Sequence, residues 1–167
     1  MSDLRTAPAI VVMGVAGCGK TAVGEALAKA LDAEFIEGDR LHPPENVARM
    51  ARGEPLTDAL REGWLDAIGE RIATSIADGR KAVAACSALK RAYRDRLNRF
   101  CPDIVFLYLK IDRETAWRRV ASRKGHFMPA SLVDSQFSTL EEPAADERAV
   151  TVDGTRTVAG ILQEIAD

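Results

Sequence analysis

The sequence lacks any apolar run close to the roughly 20 residues that a membrane-spanning helix requires. Its first eight residues are too polar to form the apolar region of a signal peptide. It also lacks an excess of positive charge, because the formal net charge is −2 and the isoelectric point is about 5.8. Such a chain has no general attraction for nucleic acid or for an anionic membrane. These absences predict a cytoplasmic protein with neither nucleic acid nor a membrane as its partner.

Cysteine is scarce as well, and the three that occur, Cys18, Cys86 and Cys101, are scattered without the spacing of metal ligands. An odd and dispersed set of this kind predicts reduced thiols rather than a disulfide framework. Internal repeats, low-complexity tracts and linkers are also absent. With 167 residues, 47 % of them hydrophobic and 29 % charged, the chain has the composition of one globular domain spanning residues 1–167.

A phosphate-binding motif is the clearest feature that is present. Residues 9–13 form an apolar run typical of a buried strand. Residues 14–21, GVAGCGKT, fit the pattern G-x-x-x-x-G-K-[ST] at every fixed position. Glycines let backbone N–H groups surround an anion, and the helix predicted to follow would add partial positive charge beneath the phosphates. The residues predicted to bind the nucleotide are Gly14, Val15, Ala16, Gly17, Cys18, Gly19, Lys20 and Thr21.

Two side chains of this motif have predicted roles of their own. Lys20 can reach the β- and γ-phosphates of a nucleotide, and the Thr21 hydroxyl can ligate Mg²⁺. The motif therefore predicts phosphoryl transfer, with Lys20 in a catalytic role and Thr21 as a metal ligand.

Strand-like and helix-like segments alternate along the rest of the chain. Further strands are predicted at 34–37, 81–87, 104–111 and 148–153. Helices are predicted after the phosphate loop, at 45–52, 58–77, 88–100, 113–124 and 132–140, and at the carboxyl end. This order predicts an α/β fold with a parallel sheet and helices on both of its faces. Ligands of such sheets bind beyond the carboxyl ends of the strands, so the phosphate loop, Asp39, Ser87 and Asp112 are expected to be neighbours.

Asp39 is the leading candidate for the chemistry, since it follows the second strand after a single glycine. A carboxylate at this edge can accept a hydroxyl proton, or orient the hydroxyl for attack on a γ-phosphoryl group. The alternative is a carboxylate that caps the following turn. For His42, in the same loop, two interpretations stay open, namely substrate binding and packing beside Pro43.

Arg119 and Arg123 are four residues apart on a predicted helix, so they share a face. They lead into residues 124–127, KGHF, a glycine-broken segment that could hinge as part of a lid at about 119–137. Two guanidinium groups closing over a triphosphate would stabilise the charge that develops during transfer. The alternative is a solvated basic face, and His126 is a weaker candidate.

A basic helix predicted after the third strand carries Lys90 and Arg94 on one face. These two cations could hold an anionic group of the acceptor, whereas Arg91 and Arg96 are expected to be solvated. Asp112 ends a strongly apolar strand and is predicted to cap the next helix. Trp64, Trp117 and Phe137 lie at helical spacing with other apolar residues and are predicted to belong to the core.

Several motifs beyond the phosphate loop carry a more specific signal. They read GDRLHP at 38–43, CSALK at 86–90, KGHF at 124–127 and SQF at 135–137. In this combination and order the chain resembles the P-loop gluconokinase family over roughly residues 11–148. The resemblance implies a nucleoside-monophosphate-kinase-like P-loop fold, usually a homodimer. It also implies transfer of phosphate from ATP to D-gluconate, giving ADP and 6-phosphogluconate, with Mg²⁺.

The resemblance also assigns roles to residues. Asp39 would lie near the attacking 6-hydroxyl group, and Arg119 and Arg123 would be lid arginines on the nucleotide. Lys20, Asp39 and Arg123 are then the expected catalytic residues. The residues expected to bind the acceptor are Asp39, His42, Arg61, Lys90, Arg94 and His126.

The segment 57–64, TDALREGW, departs from the family pattern of three consecutive aspartates followed by Arg, any residue, Pro and Trp. Two carboxylates and a proline are replaced, while Asp58, Arg61 and Trp64 remain. The change leaves other acceptors open, such as shikimate or a nucleotide on the same scaffold. A nucleotide-dependent switch without metabolite phosphorylation is a further alternative, although the Asn-Lys-x-Asp motif of guanine-selective switches is absent.

Overall fold

The computed structural model describes residues 2–123 and 129–167. Within them, a parallel sheet of five strands has the order β2-β3-β1-β4-β5. The strands are β1 at Ala9–Met13, β2 at Glu34–Glu37, β3 at Ala82–Ala85, β4 at Ile104–Lys110 and β5 at Ala149–Asp153. The central strand pairs on both sides, so that Val11 lies opposite Ala84 and Phe106. The predicted α/β architecture is confirmed.

Helices cover both faces of this sheet. They are α1 at Ser2–Thr6, α2 at Lys20–Leu31, α3 at Pro44–Ala51, α4 at Asp58–Ala77, α5 at Arg91–Asn98, α6 at Arg113–Ser122, α7 at Leu132–Thr139 and α8 at Val158–Ala166. A 3₁₀ turn at Gly38–Leu41 follows β2. In the part of the chain that the structure describes, no helix combines the length and the apolar character needed to span a membrane.

The side chains of β1 alternate between two apolar layers, as the period of a strand requires. Ile10 and Val12 pack in the layer that contains residues of α2, α6 and α8. Val11 and Met13 pack in the opposite layer with residues of α4 and α5. Because both faces are covered, all five residues of β1 are buried. The strand is a rigid support for the phosphate loop that follows it.

Side chains cap several of the helices. Asp112 accepts a hydrogen bond from the backbone N–H of Thr115 at 2.7 Å, which confirms its predicted role as the N-cap of α6. Thr57 caps α4 in the same way, through a 3.2 Å bond from the N–H of Leu60. Such caps satisfy backbone donors that the first turn of a helix leaves unpaired.

The predicted bounds of β1, β2 and α4 agree with the structure, and those around β3 differ most. That strand ends at Ala85, and α5 begins only at Arg91. Between them the chain continues along β1 as a loop, with the N–H of Cys86 bonded to Val12 O and the N–H of Gly14 bonded to Ser87 O. The residues that follow β3 are thereby held against the phosphate loop. The short helix α1 was not predicted.

Of the three aromatic residues assigned to the core, Trp64 is 3 % exposed and confirms the prediction. For Trp117 the prediction is wrong, because its side chain lies on the surface at 37 % exposure and donates to Asp134 Oδ1 at 3.2 Å. Phe137 is partly buried and lies beneath the guanidinium group of Arg113. Periodicity located an apolar stripe on α6, but within the described residues Trp117 of that stripe is left at the surface.

A buried ion pair joins α5 to the chain before β5. The Arg94 guanidinium donates to both carboxylate oxygens of Glu147, at 2.6 and 3.1 Å, and the two side chains are 1 % and 8 % exposed. It also donates to the carbonyls of Ala88 and Leu89, at 2.8 and 3.2 Å. All of these contacts are internal, so Arg94 fixes the loop after β3. In this structure Arg94 is engaged within the protein, and its predicted contact with the acceptor stays a prediction.

We predict that Arg94→Ala destabilises the protein by about 3–5 kcal/mol, because it leaves the Glu147 carboxylate buried without its partner. Arg91→Ala is the matched control on the same helix. Arg91 pairs with Asp146 at the surface, where solvent screens ion pairs and their loss costs little. The free energy of unfolding from urea titration measures both. Equal losses in the two variants would contradict the stabilising role of the buried pair.

Candidate active site

A cleft at the carboxyl ends of β1, β2 and β3 brings together several of the predicted residues. Its walls come from the phosphate loop, the chain from the 3₁₀ turn to α4, the loop after β3, and two residues that flank 124–128. The polar and charged side chains among its lining residues are Lys20, Thr21, Asp39, His42, Arg61, Trp64, Ser87, Arg123 and Gln136. Asp112 caps α6 and is not among the lining residues.

The phosphate loop has a backbone that only glycine adopts easily. Gly14 has φ of 144°, and a Cβ there would lie 2.7 Å from Cys18 Sγ and 2.9 Å from Leu109 O. A side chain would therefore displace the loop from β4. The ammonium group of Lys20 donates to the carbonyls of Gly14 and Val15, both at 3.1 Å. These contacts hold the Lys20 side chain against the start of the phosphate loop.

A carboxylate missed by the sequence analysis joins the phosphate loop to the Asp39 loop. The Thr21 hydroxyl donates to Glu37 Oε2 at 2.5 Å, and Glu37 Oε1 accepts from the N–H of Asp39 at 3.3 Å. Glu37 is the last residue of β2, and Asp39 follows in the 3₁₀ turn at the same edge of the sheet. A carboxylate at the carboxyl end of a strand was the available signal.

His42 lines the cleft with its ring stacked on Trp64, at 4.1 Å between centroids and 12° between planes. Trp64 is held in turn by its Nε1–H, which donates to Gly38 O at 2.8 Å. Burial lowers the pKa of His42 to about 4; the charge of Arg61 acts in the same direction and that of Asp39 opposes it. A histidine with this pKa is neutral at physiological pH. Of the two interpretations, packing is observed here against Trp64, and substrate binding stays a prediction.

Of the basic residues predicted to bind the acceptor, some line the cleft and others do not. Arg61 lines the cleft and donates to the Tyr93 hydroxyl at 2.6 Å. Lys90 is absent from the lining and pairs with the Asp58 carboxylate, at 3.1 and 3.3 Å. Tyr93 donates to the same carboxylate at 2.5 Å. The remaining aspartate of the altered segment thus engages Lys90 and Tyr93, and Lys90 has an anionic partner within the protein.

The two predicted lid arginines do not share a helical face. Arg119 lies on α6 and donates to the carbonyls of Gly17 and Gly154, at 3.0 and 3.1 Å. It therefore ties the phosphate loop to the turn after β5. Arg123 follows the end of α6 with an extended backbone, φ −76° and ψ 133°, and lines the cleft. His126 lies outside the described residues, as does the rest of 124–128 within the predicted lid.

Gln136 of α7 contacts the phosphate loop directly. Its Oε1 accepts a 2.6 Å hydrogen bond from the N–H of Ala16, and the side chain lines the cleft. Sequence reasoning noted the SQF motif at 135–137 but assigned no role to the glutamine. The contact connects the helix after 124–128 to the loop that is expected to hold phosphate.

A family model described as an AAA domain matches residues 10–143. The gluconokinase of Gluconobacter oxydans is 44 % identical to this chain over 156 residues, which cover 93 % of this chain and 88 % of that protein. The chain belongs to the gluconokinase family. The thermoresistant gluconokinase of Escherichia coli is 44 % identical over 142 residues, covering 85 % of this chain and 81 % of that protein.

A solved structure extends the family match to three dimensions. The crystal structure of a gluconokinase from Sinorhizobium meliloti superposes with a TM-score of 0.83 at 48 % identity, covering 93 % of this chain and 87 % of that one. The family resemblance and the P-loop kinase fold predicted from the motifs are both confirmed. As a member of the gluconokinase family, the chain is a kinase that uses ATP and a small-molecule acceptor.

We predict that Gln136→Met weakens the binding of a non-hydrolysable ATP analogue by up to about tenfold, because the contact with Ala16 holds the phosphate loop in place and one hydrogen bond contributes about that much. The change removes the acceptor of the Ala16 N–H while keeping the volume of the side chain. Gln163→Met is the control, because Gln163 lies on α8 and also loses one side-chain hydrogen bond, to Asp167. Calorimetric titration measures both affinities. A Gln136→Met protein with the affinity of the unmodified chain would contradict a role for this contact.

Proposed function

We propose that this protein transfers the γ-phosphoryl group of ATP to the 6-hydroxyl of D-gluconate, giving ADP and 6-phospho-D-gluconate. The observation that carries the proposal is that the phosphate loop and Asp39 line one cleft in a chain of the gluconokinase family. Phosphoryl transfer depends mainly on positioning and on charge stabilisation. A single cleft with both parts meets the first of these requirements.

We assign the nucleotide to the phosphate loop, with backbone N–H groups and the Lys20 ammonium group on the β- and γ-phosphates. Arg123, at the edge of the cleft, adds positive charge where the transferred group becomes more negative. Arg119 stays on the nucleotide side in this proposal, since its contacts are with Gly17 and Gly154. Asp39 accepts the proton of the attacking hydroxyl group or orients that hydroxyl.

Mg²⁺ belongs to this proposal as a partner of the nucleotide. Hydroxyl and carboxylate oxygens are ligands that Mg²⁺ accepts, and it retains water and phosphate oxygens in most kinase sites. Thr21 and Glu37 offer such oxygens side by side, so they would hold the ion directly or through water. When bound, the ion neutralises charge on the phosphates. Over the described ranges, no group of three or more His, Cys, Asp or Glu is arranged so that it could hold a metal ion.

The acceptor side of the cleft carries Asp39, His42 and Arg61. We propose that Arg61 attracts the gluconate carboxylate, because Lys90 and Arg94 are engaged with Asp58 and Glu147. His126 stays a predicted contact of the acceptor. On the basis of the family resemblance, we also propose that the protein is a homodimer, that it is cytoplasmic and that residues 1–167 form a single kinase domain.

A panel of acceptors tests the reaction itself. In a coupled assay of ADP release, we expect turnover with D-gluconate and little or none with shikimate or with nucleoside monophosphates. The product should be 6-phospho-D-gluconate by phosphorus NMR. Turnover with another acceptor and none with gluconate would overturn the assignment. ATP binding with no acceptor turned over would favour the nucleotide-switch alternative.

Asp39→Asn tests the proposed base. We expect it to lower turnover by about 10²-fold or more, which is the contribution of a positioned base, while nucleotide affinity is largely kept. Asp95→Asn, at an exposed position of α5, is the control. Steady-state kinetics and a nucleotide titration separate the two effects. Near-normal turnover in Asp39→Asn would assign the base to another residue.

Lys20→Ala tests the nucleotide side of the proposal independently. The variant loses a cation that contacts the β- and γ-phosphates, so we expect turnover to fall by at least 10²-fold. Lys29→Ala, on the exposed face of α2, should behave like the unmodified protein in the same assay. Unchanged turnover in Lys20→Ala would refute the assigned role.

A further inference from the structure

We propose that Asn46 holds His42 in one neutral tautomer, protonated on Nε2, so that His42 donates a hydrogen bond to an oxygen of the acceptor. In this proposal His42 recognises a hydroxyl or carboxylate oxygen of a polyhydroxy acid, and Asn46 is a positioning residue that acts through it. The acceptor class rests on the proposed function, whereas the tautomer rests only on contacts within the protein.

The orientation of the Asn46 amide is determined by its surroundings. Asn46 lies on α3 and is 1 % exposed. Its Nδ2 is 3.0 Å from the carbonyl oxygen of Leu60 and 3.4 Å from Nδ1 of His42. A reversed amide would place Oδ1 against the Leu60 carbonyl, where two acceptors repel. The nitrogen therefore faces both neighbours, and its two hydrogens suffice for both contacts.

The tautomer of His42 follows from that orientation. An amide nitrogen donates and does not accept, so Nδ1 of His42 must be the acceptor in this contact. The ring proton is then on Nε2. A doubly protonated ring would point an N–H at the N–H groups of Asn46, so this contact disfavours the charged ring. Burial and the charge of Arg61 lower the pKa of His42 as well. The Asp39 carboxylate opposes them, and the pKa is still about 4.

Asn46 itself has a feature that stability does not explain. Its Oδ1 is buried and has no hydrogen-bond partner within the described chain. A buried acceptor without a partner costs free energy. An asparagine at this place is therefore better explained by its two N–H donors than by its contribution to the core.

Trp64 completes the arrangement by fixing the plane of the imidazole. The two rings are stacked 4.1 Å apart, and the indole is bonded to Gly38 O, next to Asp39 in the chain. His42 and Asp39 thus line the cleft with complementary chemistry. The neutral imidazole donates a hydrogen bond without giving up a proton, and the carboxylate accepts one. A site that hydrogen-bonds an acceptor oxygen discriminates against analogues that lack it.

Nitrogen NMR of the protein tests the tautomer directly. The chain has two histidines, so a His126→Gln variant assigns the signals of His42. Long-range proton–nitrogen spectra should show His42 protonated on Nε2 alone, with no titration between pH 8 and about pH 5. A proton on Nδ1, or a titration midpoint near 6.5, would overturn the proposal. This readout does not depend on which acceptor the enzyme uses.

Kinetics of three variants test the role toward the acceptor. His42→Leu removes the donor and should raise the KM for gluconate about tenfold, the effect of one hydrogen bond, with the KM for ATP little changed. His42→Gln carries an amide N–H in place of Nε2–H and should restore most of the loss. Asn46→Asp reverses the polarity beside Nδ1, so it should move the ring proton to Nδ1 and raise the same KM.

The outcomes separate the two proposals. Equal kinetics for His42→Leu and His42→Gln, or an effect on ATP alone, would overturn the donor role. If Asn46→Asp fails to fold, the two His42 variants and the spectra of the unmodified protein still decide the question. If gluconate is not a substrate, the proposed function fails, while the spectra still confirm or refute the contact of Asn46 with His42.

Discussion

The close approach of Gly38, the first residue after β2, to the end of β3 is the contact on which the rest of the cleft depends. A Cβ at this position would lie 2.2 Å from Ala85 O, so no other residue fits without moving one strand. Glu37, before it, receives the Thr21 hydroxyl. Asp39, after it, lines the cleft. The carbonyl of Gly38 itself anchors Trp64 and, through the stacked rings, His42. One tight backbone contact therefore positions groups on the nucleotide side and on the acceptor side.

Burial and pairing separate the cationic side chains that stabilise the fold from those that line the cleft. Arg94 satisfies its guanidinium with Glu147 and two carbonyls, and Lys90 is paired with Asp58. Among the described residues that line the cleft, the cationic side chains are Lys20, Arg61 and Arg123. An acceptor that carries its own carboxylate fits such a site. In segment 57–64, where two carboxylates of the family pattern are replaced, the remaining Asp58 is bonded to Tyr93 and Lys90.

Much of the fold was predictable because its signals are local. The apolar run of β1, the glycine pattern after it and the amphipathic spacing of α4 each depend on neighbours within a few turns or residues. The loop after β3 was not predictable in this way. Its backbone bonds to Gly14 and Val12, which are more than seventy positions earlier in the chain. The helix that the basic spacing at 88–100 indicated does form, but it begins only at Arg91. Trp117 was misassigned because spacing marks an apolar stripe without showing whether another element covers it.

By itself, the sequence determined the phosphate loop, the family and the candidate Asp39, since each is a matter of residue types at fixed spacing along the chain. Tertiary structure decided which of the candidate cations reach the cleft, since Arg94 meets its partner 53 residues away and Arg61 turns toward Tyr93. It also decided the contacts of Glu37, Gln136 and Asn46. Their contacts run between separate elements, and hydrogen-bond geometry between distant parts of a chain is set only when the sheet and its helices have packed.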